Sequence, residues 1–374
     1  MIDLDKHGDG AAPHGAAPAP QVAFVGLAGD FFLMQLLNLL LTIVTLGFYR
    51  FWAKARFRRY LWAHTEVGGD GLDYRGTGLE LLIGAILVVL LISVPFGIVS
   101  ILAAAASGGA KAVLLVTQSL LVLAIWYLIG VGIYRSWRYM LSRTAWRGIR
   151  SGMIGQGWSF GLYHFGLLMA QTFSLGFATP WVGVRRWNRL VRDIRLGSLP
   201  MEANARARTL YPRFLIVWGV MLAMVAILAG TLFAGAFASD LFRDPTPSPG
   251  GLLLFVLSLY GGLFAIGFVG ALLFAHYHAA FLRETWGATR IDGRMQLGFD
   301  VTTGQVVRYY LGNMALIIFT LGIGTLLMPY RHWAFQARRI RIDGTFDEDA
   351  MRQTDLAAPG QGDGLADAFD VTPF

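Results

Sequence analysis

Seven apolar runs, at residues 31–49, 79–103, 112–134, 163–184, 214–238, 251–275 and 309–328, constrain this chain more than any other feature. Each is near the 20 or so residues that a helix needs to cross a bilayer core. With 55% hydrophobic and only 14% charged residues, the chain has too little polar surface to be wrapped in water alone, so lipid is its main solvent. The absence of cysteine excludes disulfides, thiolate metal sites, iron–sulfur clusters and cysteine nucleophiles.

The charges flanking these runs argue against seven simple crossings. Alternating spans would put eight arginines between Arg185 and Arg213, and four between Arg283 and Arg308, outside the cell. That violates the excess of basic residues on the cytoplasmic side. If the first, fourth and seventh runs instead enter and leave on the cytoplasmic side, every lysine and arginine but Lys111 and Arg243 is inside. Both termini are then cytoplasmic. Because the arginines cluster beside apolar runs, the net charge of +8 reads as a topology signal rather than a nucleic-acid surface.

An internal repeat supports the same arrangement. The first, fourth and seventh runs share Thr45-Leu46-Gly47, Ser174-Leu175-Gly176 and Thr320-Leu321-Gly322, with Asn38 and Asn313 each seven residues before the threonine. Gly47, Gly176 and Gly322 are where the helices should break. Arg-x-Trp elements follow at Arg50/Trp52, Arg185/Trp187 and Arg331/Trp333, with a fourth at Arg135/Trp137 after the third run. An indole at head-group level beside a guanidinium reaching phosphate suits an interfacial helix. Together with Arg56, Arg58, Arg59, Arg186, Arg338 and Arg339, these residues are the candidate head-group contacts. Turn signals between short strand-like stretches, at residues 67–72, 149–153, 194–198, 291–294 and 342–345, each fit a β-hairpin.

The expectation is an all-α polytopic membrane protein: four spanning helices and three re-entrant or half-inserted helical elements in an internal repeat, with short cytoplasmic β-hairpins. Its divisions are a disordered tail (1–23), a first membrane repeat (24–158), a second (159–299), a partial third (300–346) and a disordered acidic tail (347–374). Nothing at the start has the basic region and short apolar core of a cleavable signal peptide.

The run Phe24-Val25-Gly26, Phe31-Phe32, Asn38 to Ile43, Thr45-Leu46-Gly47-Phe48-Tyr49, Trp52-Ala53, Arg59-Tyr60-Leu61 and Tyr74 with Thr77-Gly78 resembles the YjgN family of bacterial inner-membrane proteins. The likeness covers most of the chain, with its specific motifs between Phe24 and Gly84. It implies an inner-membrane location and a domain of unknown function, and it carries no catalytic residues. Phe51 stands where that family's first block leads one to expect a proline before the tryptophan.

Chemistry is sparse. Charged residues at membrane depth are costly and usually functional, yet the central stretches of the second, third and fifth runs hold none. His276 and His278, two residues apart, point to different helix faces and do not form a metal edge. No cofactor or metal is implied, no nucleophile elbow or triad is recognisable, and an enzyme would need Glu80, His164, His276 or His278 to meet at one interface. Uncharged polar groups recur instead: Gln35, Asn38, Thr42 and Thr45 in the first run, Gln171, Thr172 and Ser174 in the fourth, Asn313 and Thr320 in the seventh. They are either structural glue or the lining of a polar cavity. Two readings follow. One is a lipid-binding or scaffolding protein gripping phospholipid through its Arg/Trp elements, with a cytoplasmic partner or further copies of itself. The alternative is a transporter or channel-like module whose cavity is lined by the broken helices.

Overall fold

The computed structural model describes residues 16–238, 249–347 and 351–353. Its organising element is a sheet. Tight turns join β3 (Thr65–Val67) to β4 (Asp70–Tyr74), β5 (Thr144–Trp146) to β6 (Ile149–Met153), β7 (Ile194–Leu196) to β8 (Leu199–Ala203) and β9 (Thr289–Ile291) to β10 (Met295–Phe299). Positive φ at Gly68 and Gly69, Gly148, Gly197 and Gly293 makes these turns possible. With β1 (Ala16–Pro18), β2 (Val22–Phe24) and β11 (Ile340–Asp347) they form one antiparallel sheet in the order β1-β11-β10-β9-β8-β7-β6-β5-β4-β3-β2.

The two ends of that order are neighbours in the chain. β1 pairs with β11 through Ala16 opposite Asp347, and β2 pairs with β3 through Phe24 opposite Thr65. Between them, the Ala19 amide donates to the Gly344 carbonyl at 3.0 Å and Gln21 Nε2 donates to the Ile342 carbonyl at 3.0 Å. Residues 16–24 therefore run as one strand course that bonds to β11 with its first half and β3 with its second. The sheet becomes a nearly closed barrel.

This corrects the all-α expectation: the short hairpins are not isolated ornaments but pair with one another edge to edge. Three further points differ. Residues 16–23, placed in a disordered tail by composition, are mostly strand. The second turn lies at Arg147-Gly148 rather than within 149–153, and Asp343-Gly344 sits inside β11 rather than at a turn.

Antiparallel closure decides where the helices go. Each strand that runs up leads into a helical pair, and the chain returns down the next strand, so every pair leaves from one rim and every tight turn lies on the other. Three pairs are short: α1 (Ala28–Val44) with α2 (Arg50–Ala63), α6 (Gly157–Phe173) with α7 (Thr179–Asp193), and α10 (Thr303–Phe319) with α11 (Met328–Ala337). Two are long. The first joins α3 (Gly78–Val88) and α4 (Val94–Ala105), continuous through a π-turn, to α5 (Gly108–Ser142), and the second joins α8 (Tyr211–Ala238) to α9 (Pro249–Gly287). Around the ring, the first and third short pairs are adjacent and the second lies between the long pairs.

The barrel is filled. Alternate residues Leu199, Met201 and Ala203, Met295 and Leu297, and Ile342 and Phe346 point inward into one apolar core, while Glu202, Gln296 and Arg341 between them point out. Met351 packs against that core, and the Ser198 amide donates to the Arg352 carbonyl at 3.0 Å, so the chain beyond β11 crosses the turn rim. At the helical rim, indoles tie neighbouring units together: Trp333 Nε1 donates to Thr65 Oγ1 at 2.7 Å, Trp62 Nε1 to Thr144 Oγ1 at 2.9 Å and Trp187 Nε1 to Thr289 Oγ1 at 3.1 Å. Trp62 and Trp333 stack at 4.3 Å. Asp193, buried below Gly155, accepts from Tyr134 at 2.9 Å and from Arg189 at 2.5 Å. Replacing Thr65 with Val keeps its shape but strips the acceptor from Trp333. It is expected to cost about 1–2 kcal/mol, read as a lower thermal unfolding midpoint of the detergent-solubilised protein.

Candidate functional site

The tips of the short pairs have nearly the same backbone. Leu46, Leu175 and Leu321 all sit at φ 50°, followed by Gly47, Gly176 and Gly322 at 92°, 82° and 92°. Left-handed backbone costs a leucine about 1–2 kcal/mol, and the preceding hydroxyl holds the turn against that cost. Thr45 Oγ1 donates to the Leu41 carbonyl and accepts from the Tyr49 amide, Ser174 does the same between Gln171 and Ala178, and Thr320 between Leu316 and Gly324. The result thrusts the leucine outward: Leu46 is 90% exposed, Leu175 78% and Leu321 94%. Val44, Phe48, Phe173, Phe177, Phe319 and Ile323 are exposed beside them. Clusters of this kind mark contact with lipid or protein.

The sequence-derived basic residues divide. Arg58 is only 2% exposed, its Nη1 donating to Tyr74 at 3.3 Å, and Trp187 and Trp333 are committed to the rim bonds above, so these three hold the fold. Trp137 is half-buried at the same rim. Arg135 lies over Trp158 at 5.1 Å and Arg185 over Trp181 at 5.4 Å. Arg50, Trp52, Arg56, Arg59 and Arg186 are exposed.

The densest charge is in the third pair. A cleft of about 680 Å³ between α10 and α11 is lined by Arg308, Arg331, Arg338 and Arg339, with Tyr309, Gln305 and Asp300. Asp300, the one carboxylate of the lining, is bonded to Arg341 at 2.9 Å. Arg331 donates to Asn313 Oδ1 at 2.6 Å and Arg339 to the Phe335 carbonyl at 2.8 Å, fixing two guanidinium groups in place. Burial, and then the neighbouring Arg338, lower the pKa of Arg339 below the usual guanidinium value, as expected where like charges crowd. Such a site has capacity for an anion; guanidinium binds phosphate with paired donors. Arg308 was not among the sequence candidates, because it lies on α10, before the broken segment, rather than in an Arg-x-Trp element.

The polar candidates do not gather in one place. Gln35 and Asn38 bond to each other at 2.8 Å, Gln171 donates to Thr179 Oγ1 at 3.2 Å within its own pair, and Asn313 is taken by Arg331. Thr42 Oγ1 donates to the Asn38 carbonyl at 2.7 Å, and Thr172 is exposed. Nor do the titratable candidates converge. Glu80 accepts from Tyr139 at 2.7 Å and from Arg143, and His164 packs against Gly130 on α5. His276, His278 and His332 bond to Thr303, Tyr310 and Tyr309 around α10. Among the described residues no group of three His, Asp or Glu is placed to hold a metal.

Four helices, Gly78–Ala105, Gly108–Ser142, Tyr211–Gly235 and Pro249–Gly287, are long and apolar enough to cross a membrane. A membrane-associated helical bundle on a filled β-barrel is thus the class of protein. Residues 19–368 match the family model described as bacterial protein of unknown function (DUF898), and the chain belongs to that family. The resemblance to YjgN stands as well: the chain is 33% identical over 78 residues to the inner membrane protein YjgN of Salmonella typhimurium, covering 21% of this chain and 20% of that protein. With the Escherichia coli inner membrane protein YjgN it is 43% identical over 61 residues, 16% of this chain and 15% of the relative. These alignments span about a fifth or less of the relatives' length. No solved structure matches.

The tips yield a clean backbone test. Nothing lies within 4 Å of a Cβ added at Gly47, so Gly47→Ala probes the positive φ alone. A loss of about 1 kcal/mol in unfolding free energy, with no change in Leu46→Gly beyond that size, is the expected outcome.

Proposed function

We propose that this protein is a multi-pass inner-membrane protein that binds anionic phospholipid at its cytoplasmic surface, with the cleft between α10 and α11 as the head-group site. The observation that carries this is the set of four arginines lining one cleft whose single carboxylate is already bonded to Arg341. In this reading the two long pairs cross the bilayer and the barrel lies in the cytoplasm with both chain ends. The three short pairs dip their apolar tips into the near leaflet. At 17 residues, α1 reaches about 25 Å from the rim, half the roughly 52 Å of the 35-residue α5. The exposed leucines at all three tips support this depth, since each would otherwise hold apolar surface in water. The asymmetry of basic residues supports the orientation.

The permeation alternative is the weaker reading. The barrel lumen is packed with Leu, Met, Ile and Phe, and the polar groups of the three broken pairs bond within their own pairs.

Replacing Arg308 and Arg338 together with Gln is expected to reduce binding of phosphatidylglycerol to the purified protein about tenfold or more while leaving its thermal stability unchanged, measured by native mass spectrometry. Unchanged lipid binding would remove the head-group site. Topology has its own check, because a chain without cysteine reports from one introduced thiol. Ser107→Cys, between α4 and α5, is expected to react with an impermeant maleimide from the periplasmic side and Ser198→Cys, on the turn rim, from the cytoplasmic side. Labelling of both from one side would overturn the arrangement.

A further inference from the structure

A second cavity, of about 490 Å³, rises between α9 of the second long pair and α10 of the third short pair. Its walls include Gly267, Phe268, Ala271 and Phe274 on α9, with Leu311 and Met314 on α10. Gly267 and Ala271, four residues apart, stand one above the other and take side-chain bulk off that face of the helix. Glycine in a membrane helix ordinarily lets a second helix come close, and elsewhere on α9 it does. A Cβ at Gly262 would collide with Leu228, and one at Gly270 would come within 2.9 Å of Met221 Sδ, so those glycines seat α8. At Gly267 an added Cβ meets nothing within 4 Å. The small residues there shape a groove, not a helix contact.

The lining asks for hydrocarbon alone. Among the described residues its one polar side chain is Tyr310, whose hydroxyl is already bonded to His278 Nδ1 at 2.6 Å. Apolar cavities of this kind stay dry and take apolar ligands. From Phe274 up to Phe264 the groove follows α9 for ten residues, about 15 Å, which is half of the roughly 30 Å bilayer core. Its lower end lies near the rim, where His276 bonds to Thr303 at the start of α10 at 3.0 Å. The groove is also continuous with the arginine cleft. Arg308 lines the cleft, Leu311 and Met314 line the groove, and the three residues, spaced by three, share the exposed face of α10.

We propose that this groove holds one acyl chain of the phospholipid whose head group occupies the α10/α11 cleft, an assignment that rests on the head-group reading above. The lipid straddles the exposed face of α10, and the ligand is an intact long-chain anionic phospholipid, not a soluble phosphate. Because a bilayer is itself apolar, the chain gains little by leaving it and is held by packing against Phe268, Phe274 and Met314. A chain that ends short of Phe264 leaves the upper groove without contacts. The arginines thus set the class of head group, and the groove measures the chain.

The test compares dipalmitoyl with dihexanoyl phosphatidylglycerol on the full chain in detergent by native mass spectrometry. Gly267→Leu fills the groove, and the open space around its Cβ spares the helix packing. The native protein is expected to bind the long-chain lipid about tenfold more tightly than the short-chain one, with that preference lost in Gly267→Leu and dihexanoyl binding unchanged. Ala271→Leu is expected to act in the same way and serves if Gly267→Leu fails to fold. A chain-length preference that survives both substitutions overturns the inference. So does a change of oligomeric state in Gly267→Leu at unchanged lipid affinity, since the groove would then seat a second copy of the chain. The comparison is repeated in the Arg308→Gln/Arg338→Gln background, where the preference and its loss on filling Gly267 are expected to persist at lower overall affinity. If those arginine replacements leave lipid binding unchanged, the head-group site falls while a preference lost in Gly267→Leu still assigns the groove to a chain, so the two proposals fail separately.

Discussion

Ten strand courses bonded into a nearly closed ring leave little sheet edge exposed among the described residues, and from that closure most of the molecule's architecture follows. A strand of three to five residues cannot bury enough to stand alone, and a two-stranded hairpin in water is marginal. Joined edge to edge, the hairpins satisfy one another's backbone groups and enclose a common core of Leu199, Met201, Met295, Leu297 and Ile342. The same antiparallel geometry sends every helical pair out through a single rim. Long and short pairs share a base because the sheet permits no other exit, with the Trp–Thr bonds at Thr65, Thr144 and Thr289 tightening the join.

Above the rim, length separates two behaviours. The long pairs have the reach to cross a bilayer, whereas the short pairs turn back through a glycine and a strained leucine fixed by a neighbouring hydroxyl. Strain of this kind persists where the surroundings over-determine it. Here the hydroxyl bonds and the glycine carry the turn so that apolar side chains can stand at its apex. The returning helices α2, α7 and α11 carry arginines close behind the apolar tips, and in the third pair Arg331 of α11 and Arg338 and Arg339 just beyond it meet Arg308 of α10 in the cleft.

Much of this was written in the sequence, though unevenly. The Thr-Leu-Gly and Ser-Leu-Gly signatures marked all three tips, and the Gly-Gly and Asp-Gly pairs marked tight turns at Gly68 and Asp292. The apolar runs identified the four long helices. The barrel was not legible, because strand pairing between units more than 40 residues apart leaves no local pattern, and residues 16–23 have the composition of a tail. The Arg-x-Trp elements misled in part: an indole at a helix end has the same sequence appearance whether it meets a head group, as exposed Trp52 can, or a threonine hydroxyl, as Trp187 and Trp333 do. The polar residues of the tips look like a cavity lining when read by type, whereas Thr45, Ser174 and Thr320 hold their own turns and Gln35, Gln171 and Asn313 bond to side chains within their own pairs.

The ring closes between the first strand course of the chain and the last. During synthesis residues 22–24 find β3 early, but Ala16, Ala17 and Pro18 have no partner until β11 has been made, after all five helical pairs. Until then both margins of the sheet stay open, and open margins recruit other chains. Closure is thus a chemical record that every helical pair has been delivered to the correct rim. A chain with one pair misplaced keeps two unpaired edges on display, the feature that distinguishes it from the finished protein.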